Sequence, residues 1–146
     1  MEVPDESVYI IDPADKSVTR LNYTFVRPNG IMTSNDDKFI YIADHGASKM
    51  FVWDTSTPAD SPKIDLFCVV HPEQGGMDGL CIDAAGNIYA TVPAMKIVSV
   101  ISPEGKEIGR IEFPEKPTNC ILTPDGKTLY VTAQKSLYAC KVGSLD

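Results

Sequence analysis

Asn29, Asp78 and Asn119 are the residues of this 146-residue sequence whose type and spacing point most directly to chemistry. Each stands at the start of an inner, strand-like run, at one position of a repeat, and the steps from 29 to 78 and from 78 to 119 are 49 and 41 residues. One carboxylate with two amide carbonyls makes a set of hard oxygen donors. Such a set suits a divalent cation, Ca²⁺ first, with Zn²⁺, Mn²⁺ or Mg²⁺ as alternatives. Asn29-Gly30 and Asp78-Gly79 are also ordinary turn dipeptides, so a purely conformational reading stands beside the chemical one. Asn119 is followed by Cys120, however, so glycine is not the shared element.

Other polar residues carry weaker signals. His45 follows Asp44 at the end of a strand-like run, where it would contact a substrate or assist proton transfer, or simply sit in a solvated loop. His71, Glu73 and Gln74 precede Asp78 in a polar connection, either overhanging the site or linking two elements at the surface. Met77, beside Asp78, reads as an apolar wall or as packing; Trp53 and Tyr138 read as packing between repeats.

The elements that must position these residues repeat. Pro28-Asn29-Gly30-Ile31 leads to Phe39-Ile40-Tyr41-Ile42, Met77-Asp78-Gly79-Leu80 to Ile88-Tyr89-Ala90-Thr91, and Thr118-Asn119-Cys120-Ile121 to Leu129-Tyr130-Val131-Thr132. A period of about 40–50 residues is that of a four-stranded propeller blade. Turn residues agree: Ser34-Asn35-Asp36-Asp37, Asp83-Ala84-Ala85-Gly86-Asn87 and Thr123-Pro124-Asp125-Gly126 each separate the first strand of a repeat from the second. The spacing predicts an all-β, antiparallel, partial β-propeller of about three blades, roughly half of a six-bladed ring. Residues 1–26 would be the last two strands of a blade, 27–74 and 75–115 whole blades, and 116–146 the first three strands of another.

Composition narrows the partners. The net charge is −7 with no basic block, which argues against nucleic acid and anionic membranes. No apolar run is long enough to span a bilayer. Met1 to Glu6 is acidic with no apolar stretch behind it, and a cytoplasmic location is the expectation. Cys68, Cys81, Cys120 and Cys140 lie in apolar strand-like runs without metal-type spacing, as small core residues of a reducing compartment do.

Arg27-Pro28-Asn29-Gly30-Ile31, Gly76-Met77-Asp78-Gly79-Leu80 with Asp83-Ala84-Ala85-Gly86-Asn87-Ile88-Tyr89, and Lys116-Pro117-Thr118-Asn119-Cys120 through Thr128-Leu129-Tyr130-Val131-Thr132 resemble, in that order, motifs of the gluconolactonase family. That family includes regucalcin, the senescence marker protein. The resemblance covers nearly the whole chain and matches the C-terminal half of such proteins. It implies a six-bladed propeller hydrolysing lactones with a divalent cation in its central channel. Asn29 and Asp78 match the family's metal ligands, Asp78 also its general base, and Asn119 an asparagine near the channel that would touch substrate or support the last inner strand. The family's further ligand, a glutamate, belongs to the N-terminal half; neither Glu2 nor Glu6 occupies the matching place.

Two readings follow: a metal-dependent lactonase acting on a small cyclic ester, or a non-catalytic, cation-binding or scaffold module that needs a partner. A half ring leaves open sheet edges and an exposed inter-blade face. A homodimer completing the six-bladed ring is the expected repair.

Overall fold

The computed structural model describes residues 5–143. Thirteen strands form four antiparallel sheets. The first holds β1 (Tyr9–Ile11) and β2 (Val18–Arg20). The second runs in order through β3 (Pro28–Thr33), β4 (Phe39–Asp44), β5 (Lys49–Asp54) and β6 (Ile64–Val69). The third runs through β7 (Leu80–Ile82), β8 (Ile88–Val92), β9 (Ile97–Ile101) and β10 (Glu107–Glu112). The last holds β11 (Pro117–Leu122), β12 (Thr128–Ala133) and β13 (Ser136–Lys141). This is a partial propeller: two strands, two whole blades and three strands. A single 3-10 turn, Pro93–Met95, interrupts the strands, and no helix among the described residues is long and apolar enough to cross a membrane. Glu2 lies outside the described residues; Glu6 precedes β1 and is exposed.

Side-chain pattern follows the position of each strand in the stack. The β8 run Ile-Tyr-Ala-Thr-Val and the β9 run Ile-Val-Ser-Val-Ile are buried at every residue, because a blade covers each face. In β13 only alternate residues are even partly buried, as expected of a strand packed on one face.

The core is three inter-blade seams. Val8, Leu21, Phe25, Ile42 and Trp53 fill the first, between the β1–β2 pair and the first whole blade. Ala43, Met50, Cys68 and Val70 meet Met77, Ile88, Ala90 and Val92 in the second. Cys81, Tyr89, Val98 and Val100 meet Cys120, Leu129 and Val131 in the third, with the Phe113 and Tyr138 rings edge to face at 5.4 Å. Burying side chains of this size stabilises the stack by roughly 1.5–3 kcal/mol each. Met77 is fully buried, so it packs the second seam and walls no ligand pocket.

Candidate functional site

Asn29, Asp78 and Asn119 all line one open trough of about 1150 Å³ along the inner strands β3, β7 and β11. Ile31, Leu80 and Ile121 form its apolar middle, while Asn35, Asp83 and Asp125 border its far end. Asn29 and Asn119 are exposed and Asp78 is half-buried.

Strand register refines the repeat. Ile31 pairs with Ile42, Leu80 with Ala90 and Cys120 with Val131, each partner lying one residue after Tyr41, Tyr89 and Tyr130. Asn29 and Asp78 stand two residues before Ile31 and Leu80, whereas Asn119 stands one before Cys120. Thr118 therefore occupies the slot of Asn29 and Asp78, and Asn119 the slot of Gly30 and Gly79. The three polar residues share a trough but not one repeat position, which corrects the sequence alignment. Its cause is that the fourth-sheet motif reads Pro-Thr-Asn where the first whole blade reads Pro-Asn-Gly.

Glycine brings the strands together. A Cβ added at Gly30 would collide with the Asp78 carbonyl oxygen, and one at Gly79 with the Asn119 side chain. The backbone around Asp78 is clamped from both sides. The Asp78 amide donates to the Thr91 carbonyl at 2.9 Å, and the Gly79 amide to the Thr118 carbonyl at 3.0 Å. The fully buried Thr91 hydroxyl also accepts from the Gly79 amide at 2.9 Å. On the other side, His45 Nδ1 lies 3.1 Å from the Met77 carbonyl oxygen. His45 is thus tied to the chain that presents Asp78, although it does not line the trough.

Burial pushes the Asp78 carboxyl above its ordinary value of 3.8, a rise only partly offset by the His45 charge and the Asn29 side chain. Asn119 spends its Oδ1 on the Cys120 amide at 2.9 Å.

Three contributors were not singled out from sequence. Asp44, 1% exposed, accepts from the amides of Val26 at 2.7 Å, Arg27 at 2.8 Å and Ala47 at 3.2 Å, which fixes the entry of β3 and hence Asn29. Thr91 and Thr118 act on the Gly79 peptide as described. Their signal in the sequence is faint, since each partner lies at least twelve residues away. His71 turns from the trough to Glu107, Nε2 to Oε2 at 2.7 Å, and Ser99 donates to the same oxygen at 2.6 Å. Among the described residues, no group of three or more His, Cys, Asp or Glu could hold a metal ion. The donors present are one carboxylate and neighbouring amides, which fit part of a hard-cation site.

The chain is similar to gluconolactonase of Zymomonas mobilis, 27% identical over 121 residues, covering 76% of this chain and 33% of that protein. It is 33% identical over 110 residues to regucalcin of Xenopus laevis, covering 72% of this chain and 36% of the relative. Among solved structures, a calcium-binding regucalcin from Agrobacterium tumefaciens superposes with a TM-score of 0.74 at 27% identity, over 96% of this chain and 46% of that one. A gluconolactonase from Xanthomonas campestris shares the fold with a TM-score of 0.79 at 24% identity, over 94% of this chain and 45% of its own. The chain spans about a third of the length of these curated relatives and just under half of the solved chains. The sequence profile of the SMP-30/gluconolactonase/LRE-like region matches residues 1–135. With the ordered motifs, the blade architecture and this match in agreement, the chain belongs to the SMP-30/gluconolactonase/LRE-like family.

Proposed function

We propose that this chain supplies the cation-binding and general-base half of a centre that hydrolyses a small lactone. One observation carries the reading: Asn29 and Asp78 sit side by side at the trough, on inner strands that Gly30 allows to touch. Their side-chain oxygens would hold the divalent cation, and Ca²⁺ is favoured by the hard donor set and by the calcium-binding regucalcin relative. When bound, such a cation polarises an ester carbonyl and acidifies a coordinated water. Asp78 takes the proton from the attacking water. Asn119 faces the substrate from the neighbouring strand, and His45 steadies the backbone that presents Asp78. The glutamate implied by the family resemblance belongs to the half that these residues do not span. Cation affinity of this chain by itself is therefore low, and a second copy, which brings no such glutamate, does not restore that ligand.

The test is hydrolysis of a sugar lactone with Ca²⁺, Zn²⁺ or Mn²⁺ added. Cation-stimulated turnover that disappears in Asp78→Ala, with the circular dichroism unchanged, is the expected result. Turnover indifferent to that substitution would sink the proposal.

A second reading is a non-catalytic propeller module that closes its ring with a second copy. It is favoured by the open apolar face of the last sheet, where Ile121, Tyr130 and Leu137 are 64%, 41% and 68% exposed. A folded, self-associated chain that hydrolyses no lactone in any of these metals selects it.

A further inference from the structure

The third seam holds two thiols that the lactone chemistry does not use. Cys81 on β7 and Cys120 on β11 bring their Sγ atoms to 3.6 Å, 39 residues apart in sequence, and both are buried. The separation is set by backbone. Gly79 lies against Asn119, and the Gly79 amide donates to the Thr118 carbonyl, so the two inner strands are fixed just beside the sulfurs. The Cys120 thiol also donates to the Tyr89 carbonyl at 3.4 Å, which orients it within the seam. Cys68 on β6 and Cys140 on β13 belong to other strands, the first in another seam. A disulfide requires a sulfur separation of about 2.05 Å, so the pair must close by little more than an ångström and a half, which side-chain rotation and a small blade shift supply.

We propose that Cys81 and Cys120 form an oxidation site that closes into a disulfide between neighbouring blades. The oxidant is a peroxide. One thiol sulfur attacks the peroxide oxygen, breaking the O–O bond to give a sulfenic acid and water. The second sulfur then displaces the sulfenic oxygen, which leaves as water with the remaining thiol proton. Both sulfurs are oxidised, and hydrogen peroxide is reduced to two waters. The hydrogen bond to Cys81 and burial hold the Cys120 thiol in its protonated form. Both thiols are buried, so the reaction is slow while the seam is shut. In a reducing compartment the pair remains as thiols; under oxidant the bond ties the strand that follows Asp78 to the strand that carries Asn119.

The experiment treats the full chain with hydrogen peroxide, alkylates without reductant and maps the peptides by mass spectrometry. A Cys68→Ser variant is used as well, because Cys68 and Cys81 share a tryptic peptide. Expected are a Cys81–Cys120 linked peptide, its loss on reduction, and a thermal midpoint raised by about 5–10 °C in the oxidised chain. Cys81→Ser and Cys120→Ala should each abolish link and shift. Four alkylatable thiols after full peroxide exposure would overturn the proposal. So would sulfinic acid at either position without the link, or a link through Cys140 instead.

Discussion

In the proposed hydrolysis Asp78 is the residue on which the chemistry turns, and its environment fixes how it responds to pH. Its carboxyl titrates above 3.8 because burial disfavours the charge more strongly than His45 and Asn29 favour it. In the cation-free chain the Asp78 carboxyl should therefore lose its proton with a midpoint above pH 3.8 when followed by NMR titration. In cation-free Asn29→Ala, which removes one of the offsetting groups, that midpoint should move higher; a midpoint that stays put or falls would contradict the assignment. Gly79 is the neighbouring test. A methyl there strikes the Asn119 side chain, so Gly79→Ala should destabilise the chain by about 1–3 kcal/mol, read as a lowered urea midpoint. Residues of this kind show what sequence reveals and what it hides. Asn29 and Asp78 were legible because residue type and repeat spacing agree. The one-residue offset of Asn119 was not, because polarity drew the alignment; anchoring on Tyr41, Tyr89 and Tyr130, which sit at one register in each ladder, recovers it. The Val26 and Arg27 amides gathered by Asp44 were invisible for a different reason, since the fold alone brings them to it.

Strands were the most legible level, because turn chemistry marks their ends. Ser34 bonds Asp36 at 2.7 Å and Thr123 bonds Asp125 at 2.6 Å in matching turns, while Asp83 gathers the amides of Ala85 and Asn87 in the third. The link between blades was less so: the connection after β6 was as compatible with a lid as with a plain linker. It is neither. His71 anchors it to Glu107 on β10, where Arg110 and the buried Ser99 also converge. Burial of Glu107 raises its pKa, but bonds from Ser99, Arg110 and His71 together outweigh that and hold it below 4.5. With the folded pKa depressed, this carboxylate contributes stability that is fully present above 4.5 and lost as pH falls through the folded value. Denaturation midpoints measured down the acid range should therefore fall more steeply in the native chain than in Glu107→Gln. Equal slopes would remove the latch from the account of this seam.

At the scale of the whole molecule, the ladders say what the last sheet presents. By register Ile121, Tyr130 and Leu137 match Cys81, Tyr89 and Val98, which are 9%, 4% and 0% exposed beneath the following sheet. The same positions that form a covered seam one blade earlier stand open here. A chain of these 146 residues is expected to self-associate at micromolar concentration, and Leu137→Lys to shift sedimentation toward the monomer. A monomer in both cases would exclude the second copy as the partner of this face. The arrangement of strands adds a condition on how copies meet. β1 and β2 enter the first whole blade as β5 and β6 enter the next, so β1 stands third in its blade, and so does β13. Two copies thus bring two claimants to a single place at each junction. β1 holds that place with three residue pairs and largely exposed side chains, β13 with six pairs along β12. If a second copy closes the ring, closure in this geometry is a strand exchange: β13 stays, β1 is displaced, and β2 of the incoming copy completes the blade along the edge beside β13.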